Sequence, residues 1–175
     1  MSARDRWKAG AGVVLRGLVL VGIIGGRHLA AEELPVLSGP AMGTTYRVTL
    51  AAAIPGMSVG EVHREVETVL ARIDRAASTW REDSDASRFN RAAAREWVPV
   101  SADLLGILEV ARGVHEASGG AFDVTVAAVE SRRPTGMRHL LTRSSPPAVA
   151  KSVAGLAIDL GGIGPGYAVD SIGLR

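Results

Sequence analysis

The sequence has no cysteine among its 175 residues. That excludes a disulfide scaffold, a cysteine-ligated zinc or iron–sulfur centre, a thiol nucleophile and a lipidated-cysteine anchor. A domain of this length buries enough core without disulfides, so the absence assigns no compartment. Aromatic residues are also scarce, at 4%, but hydrophobic residues reach 47% and charged residues 22%. This is the balance of a globular domain, not of a disordered chain. There is no Walker-type Gly-Lys-Ser/Thr and no His-Glu-x-x-His, which argues against P-loop nucleotide chemistry and zincins. The four histidines, His28, His63, His115 and His139, are scattered without ligand spacing. An excess of positive charge is missing where it would matter. Five of the 20 basic residues and one of the 18 acidic residues lie in the first 31 positions. The remainder carries 15 bases against 17 acids. A nearly neutral body has no electrostatic footprint for nucleic acid.

The N-terminus reads as a leader. Arg4, Arg6 and Lys8 form a basic region, Gly17 to Ile24 an apolar one, and Leu29-Ala30-Ala31 a small-residue cleavage site before Glu32. The uninterrupted apolar run from Gly17 to Gly26 is shorter than the roughly 20 residues of a membrane span. Residues 1–31 are therefore expected to be an export signal, with an uncleaved N-terminal anchor as the other reading. Under both readings the body, residues 32–175, leaves the cytoplasm, and membrane association is confined to the N-terminus.

The body opens on a turn, Ser38-Gly39-Pro40, followed by a strand in which Tyr46, Val48 and Leu50 alternate with polar residues. Ile54-Pro55-Gly56 ends it. Ser58-x-x-Glu61 is a capping box, and Val62, Val66, Val69, Leu70 and Ile73 form one apolar stripe behind it. Thr79 to Asn90 is polar, and within it Asp83 to Asn90 passes as a solvated turn. Ser101 caps a second helix whose inward residues are Leu104, Leu105, Leu108, Ala111 and Val114 or His115, and Gly119-Gly120 ends it. Ala121 to Val126 is expected to be a strand. Ser131 to Lys151 is weakly patterned. Ala157 to Leu160 is expected to be a short strand, Gly161 to Gly166 a glycine-rich loop, and Tyr167 the start of a helix.

Three places offer chemistry. Strand, glycine loop and helix in succession suggest a phosphate cradle, since glycine lets backbone N–H groups approach an anion at a helix N-terminus. A plain tight turn fits the same residues. Asp159 and Asp170 bracket the loop and serve as ligands or as solvated charges. In Ser118-Gly119-Gly120-Ala121-Phe122-Asp123, a ring-binding corner and a helix C-cap with a buried Phe are both compatible with the residues. Met42-Gly43-Thr44-Thr45 either lines a pocket or leads into a strand. Trp80 sits in a polar stretch, where a core role does not account for it.

Taken in order, Met42 to Tyr46, Ser78 to Asn90, Gly120 to Val126 and Ile158 to Asp170 resemble the ApbE family. These are the FAD:protein FMN transferases, or flavin transferases, long described as thiamine biosynthesis lipoproteins. The resemblance spans about residues 38–175. It implies an exported α+β protein with a T-fold-like antiparallel sheet and packed helices, in the periplasm or on the outer face of the inner membrane. It implies FAD as substrate, Mg²⁺ as cofactor, and transfer of FMN to a Thr or Ser hydroxyl of an acceptor flavoprotein of the cell envelope, with release of AMP. By the same resemblance, Met42, Trp80, Ala121, Phe122, Asp123, Asp159 and Pro165 contact the flavin nucleotide, and Gly162 supplies a metal ligand through its carbonyl. Pro165 stands where members usually carry Lys, and the stretch between Val126 and Ile158 is shorter than theirs. The family domain continues for about as long again beyond Arg175, and its C-terminal half brings the Asp and Thr that complete the metal site. The sequence is thus expected to be an N-terminal half with an incomplete sheet. A non-catalytic flavin-binding module or an inactive fragment stays open beside the transferase.

Overall fold

The computed structural model describes residues 34–126 and 134–173. The leader and the segment that follows Val126 lie outside the described residues. Two antiparallel sheets and four helices form an α+β fold, the class expected.

β1 (Val36–Ala41) and β2 (Thr44–Thr49) pair as a hairpin with Ala41 opposite Thr44. The turn is thus Met42-Gly43, not Ser38-Gly39-Pro40, which lies inside β1. Both turn residues have positive φ, 48° and 78°. A two-residue hairpin loop needs that pair of angles to match the strand twist, and Gly43 meets it without strain. On β2, Tyr46 and Val48 face the core as their alternation requires, and Leu50 continues the pattern just past its end.

α1 (Val59–Ala77) is the central helix. Its stripe Val62, Val66, Val69, Leu70 and Ile73 is buried, and α3, α4, α2 and β1 pack around it. The capping box forms as expected. Glu61 N–H donates to Ser58 Oγ at 3.3 Å, and Ser58 N–H donates to Glu61 Oε2 at 2.7 Å. Ser58→Ala is expected to cost about 1 kcal/mol. The hydrogen bond from the Ser58 hydroxyl holds the Glu61 carboxyl below its ordinary range. Its contribution is therefore complete above the usual glutamate range and is lost as pH falls through the lowered folded value. Ser58→Ala should flatten that acid limb, as urea midpoints between about pH 3 and about pH 6 will read.

The Asp83–Asn90 stretch is not a solvated turn. It contains α2 (Asp85–Arg91), capped by Ser84, whose Oγ accepts from Ser87 N–H at 3.0 Å. Asp85 Oδ2 accepts from Ser101 N–H at 2.7 Å, so the polar residues cap one another and bury. Ser101 in turn caps α3 (Ala102–Ala117), with Leu104, Ile107, Leu108 and Ala111 buried. The second sheet has the order β3 (Val98–Pro99), β5 (Pro147–Lys151), β4 (Leu140–Ser144). Its β4–β5 hairpin occupies the stretch where the sequence pattern is weakest.

Two expected strands are not strands. Ala121–Val126 turns, because Asp123 Oδ1 accepts from Thr125 N–H at 2.8 Å and from the Thr125 hydroxyl at 2.6 Å. Such local side-chain bonds compete with a ladder. Leu156–Leu160 is in no strand and takes its partners from Asn90, Lys151 and Val124. α4 (Gly164–Gly173) starts three residues before Tyr167, with Pro165 in its first turn, where a missing N–H is harmless.

Tyr167 lies over α3 at Gly106. A Cβ at Gly106 would collide with the Tyr167 hydroxyl and come within 3.2 Å of Cζ. Gly→Ala inside a helix normally stabilises by about 1 kcal/mol. Here Gly106→Ala is expected to destabilise, and Tyr167→Phe in the same chain should restore most of the loss. Thermal unfolding of the single and double variants reads the sign directly.

Candidate functional site

Two adjoining cavities share Asp159 and Gly161. The first, about 460 Å³, lies between the β1–β2 turn, the C-terminal end of α1 and the glycine loop. Met42, Trp80, Asp159 and Pro165 line it, as do Asp74 and Arg81. The second, about 380 Å³, is lined by Ala121, Phe122, Asp123, Asp159 and Gly162, among others. Every residue that the family resemblance assigns to the flavin nucleotide or the metal therefore borders one of the two cavities. Thr44, Thr45 and Asp170 border neither.

Each position has a local cause. Met42 is carried at the hairpin tip and reaches toward α4. A Cβ at Gly164 would lie 3.3 Å from Met42 Cε and 3.5 Å from Ala77 Cβ. An alanine there would press Met42 Cε back by a few tenths of an ångström and meet Ala77 at ordinary contact. Trp80 follows the C-cap of α1, where Trp80 N–H and Arg81 N–H both donate to Ser78 Oγ at 3.3 Å. The indole is 93% exposed, so it is not core, and its ring faces stay available at the rim of the cavity. Phe122 is fastened to α3 by both backbone polar atoms. Its N–H donates to Ser118 Oγ at 3.0 Å. Its carbonyl accepts from His115 Nδ1 at 2.7 Å, which fixes the proton on that nitrogen. His115 is thus a holder of the Phe122 corner. A Cβ at Gly162 would meet the Phe122 ring at 3.6 Å.

The two carboxylates differ. Asp123 is consumed by the fold. Besides Thr125, its Oδ2 accepts from Met137 N–H at 3.2 Å. Asp159 uses Oδ1 for Gly161 N–H at 2.7 Å, which shapes the loop, and its side chain is exposed to both cavities. Arg81 and Asp83 form a two-bond ion pair at the rim, at 3.1 and 2.8 Å, and Asp74 lies 3.8 Å from the same guanidinium. The hydrogen bond between Arg81 and Asp83 raises the arginine and lowers the aspartate, so the pair stays charged through the neutral range. Arg81 and Asp74 were not singled out from sequence. A legible signal existed, since Asp74 lies one turn before the Ser78 cap and Arg81 directly follows Trp80.

Gly56-Met57-Ser58-Val59-Gly60 has the spacing of a nucleophile elbow. Ser58, however, is the N-cap of α1, and its hydroxyl donates to Glu61 Oε2 at 2.7 Å. It is a cap, not a nucleophile. Among the described residues no three of His, Asp and Glu converge as a metal cluster.

A family model described as the ApbE family matches residues 42–174. The FAD:protein FMN transferase of Klebsiella pneumoniae is 29% identical over 167 residues, 81% of this chain and 47% of the relative. That of Vibrio cholerae is 29% identical over 183 residues, 91% of this chain and 53% of the relative. The solved structure of the flavin transferase ApbE from Vibrio cholerae superposes with a TM-score of 0.71 at 29% identity, covering 81% of this chain and 52% of that one. The chain spans about half the length of the curated relatives it matches.

Proposed function

The chain belongs to the ApbE family, and on that premise we propose that it works as a flavin transferase, with FAD as substrate and a protein hydroxyl as acceptor. The observation that carries this reading is the convergence of Met42, Trp80, Asp159 and Pro165 on one cavity. The second cavity, with Phe122 at its wall, continues it past Asp159. Together they offer an aromatic face, apolar walls and one available carboxylate, the mix a nucleotide with a flat ring requires.

In this reading the acceptor Thr or Ser oxygen attacks the phosphorus on the FMN side of the pyrophosphate. The new oxygen–phosphorus bond forms as the bond to the AMP phosphate breaks, the hydroxyl proton is lost, and AMP departs with the bridging oxygen. Such a displacement depends on positioning and on charge control more than on a strong base. Trp80 stacks on a ring, Met42 and Phe122 bound the slot, and Asp159 orients polar atoms while its bond to Gly161 N–H keeps the glycine loop in shape. Mg²⁺, which the family resemblance implies, is a separate matter. Asp123 is committed to N–H and O–H donors, and Gly162 offers a carbonyl alone. The described residues do not fit a complete Mg²⁺ site.

We further propose an acceptor flavoprotein of the cell envelope, reached by export through residues 1–31, with any membrane association at that end of the chain. A second reading, flavin binding without transfer, is favoured by one residue. Pro165 faces the cavity where a lysine would supply charge and a donor, and its pyrrolidine ring supplies neither. One experiment separates the two. The full chain is incubated with FAD, Mg²⁺ and an acceptor domain carrying a modifiable threonine, beside the Vibrio cholerae relative as control. An FMN mass increment on the acceptor is the expected result. FAD binding without the increment, with the control active, leaves the binding module.

A further inference from the structure

We propose that Asn90, braced by Lys151, is a positioning residue for the cavity: it sets the register of Leu156–Leu160 so that Asp159 points out. This rests on the flavin reading above for its ligand, but its geometry is independent of it.

The segment Leu156–Leu160 has a demanding pattern. Leu156, Ala157, Ile158 and Leu160 are buried, and Asp159 alone is exposed. A slip of one residue would bury the carboxylate and expose an aliphatic side chain. A strand ladder normally prevents such slips, but this segment is not part of a sheet. Its register is fixed by side chains instead. Asn90 Nδ2 donates to the Ile158 carbonyl at 2.9 Å, and Asn90 Oδ1 accepts from Ile158 N–H at 2.8 Å. One amide thus takes both backbone polar atoms of a single residue, as a partner strand would. Asp159 N–H is held by the Val124 carbonyl at 2.8 Å.

Lys151 supplies the second fixed point. It is 1% exposed, and its Nζ donates to the Leu156 carbonyl at 2.8 Å and to the Asn90 carbonyl at 3.0 Å. The ammonium also sits 4.8 Å from the centre of the Phe89 ring. It therefore ties the end of α2, which carries Asn90, to the start of the segment that Asn90 reads. Two contacts, at residues 156 and 158, admit one register.

The test uses the full chain and three variants. Asn90→Ala removes the clamp, Asn90→Asp keeps the acceptor and loses the donor, and Ser58→Ala lowers stability at the far end of α1 without touching the segment. FAD affinity is read by quenching of flavin fluorescence, and amide hydrogen exchange is followed residue by residue. Asn90→Ala should weaken FAD binding by about tenfold or more and speed exchange at Ile158 to Gly161, while α1 amides keep their protection. Asn90→Asp should fall between it and the parent, and it carries the test by itself if the alanine variant does not fold. Ser58→Ala should bind FAD like the parent. Equal affinity within about twofold for both Asn90 variants overturns the proposal, as does an equal loss in Ser58→Ala. If the parent chain binds no FAD, the flavin reading fails and exchange decides the positioning claim alone. Faster exchange confined to the segment supports it, and a uniform rise overturns it.

Discussion

Asp159→Ala is expected to lower FMN transfer by about a hundredfold, roughly 3 kcal/mol of lost stabilisation. Two losses add in that variant. The carboxylate that faces both cavities disappears, and Gly161 N–H loses its acceptor. Asp159→Asn separates them, because its amide oxygen still accepts from Gly161 while the charge is gone. The asparagine variant should keep the exchange protection of the loop and still lose most transfer. The measurement is the initial rate of FMN incorporation into a threonine acceptor, paired with FAD affinity. Transfer at the parent rate in Asp159→Ala would remove Asp159 from the site.

Phe89→Ala should have the largest effect on stability, about 3–5 kcal/mol. The ring is fully buried between α2 and the core, and the Lys151 ammonium lies over it. Alanine leaves a cavity next to a buried cation that has lost an aromatic face. Against a typical total of about 5–15 kcal/mol, that is a large share. A fall in the unfolding midpoint of roughly 10 °C or more is expected by circular dichroism. A shift under about 3 °C would show that the site collapses and refills.

α1 and α3 were legible because their signals are local. Ser58 with Glu61, and Ser101 before an apolar stripe, announce N-termini that need no knowledge of the rest of the chain. The residues that the ordered motifs mark for the nucleotide come from four separate stretches, and the fold gathers them around Asp159. What was hidden is non-local. Ala157 to Leu160 looks like a strand, yet the partner of Ile158 is a side chain 68 positions away in sequence. Ser84, Asp85 and Ser87 look solvated, and they are buried because they satisfy one another or nearby backbone atoms. Lys151 was hidden for a different reason. The sequence contains two lysines against eighteen arginines, so arginine covers the surface. The buried position takes lysine, whose compact head reaches two carbonyls where a planar guanidinium would not fit the same space.

The bonds around Asp123 have an evolutionary consequence. Thr125 Oγ1 accepts from Gly136 N–H at 2.6 Å, and Asp123 Oδ2 accepts from Met137 N–H. Chain that leaves at Val126 is thus brought back to a fixed point before Met137, whatever it does between. A change of length between Val126 and Gly136 is therefore expected to leave the Phe122 corner in place, since closing a longer connection costs only about 0.6 kcal/mol per doubling. Asp123 and Thr125 thus hold the Phe122 corner through bonds that close on Gly136 and Met137 themselves.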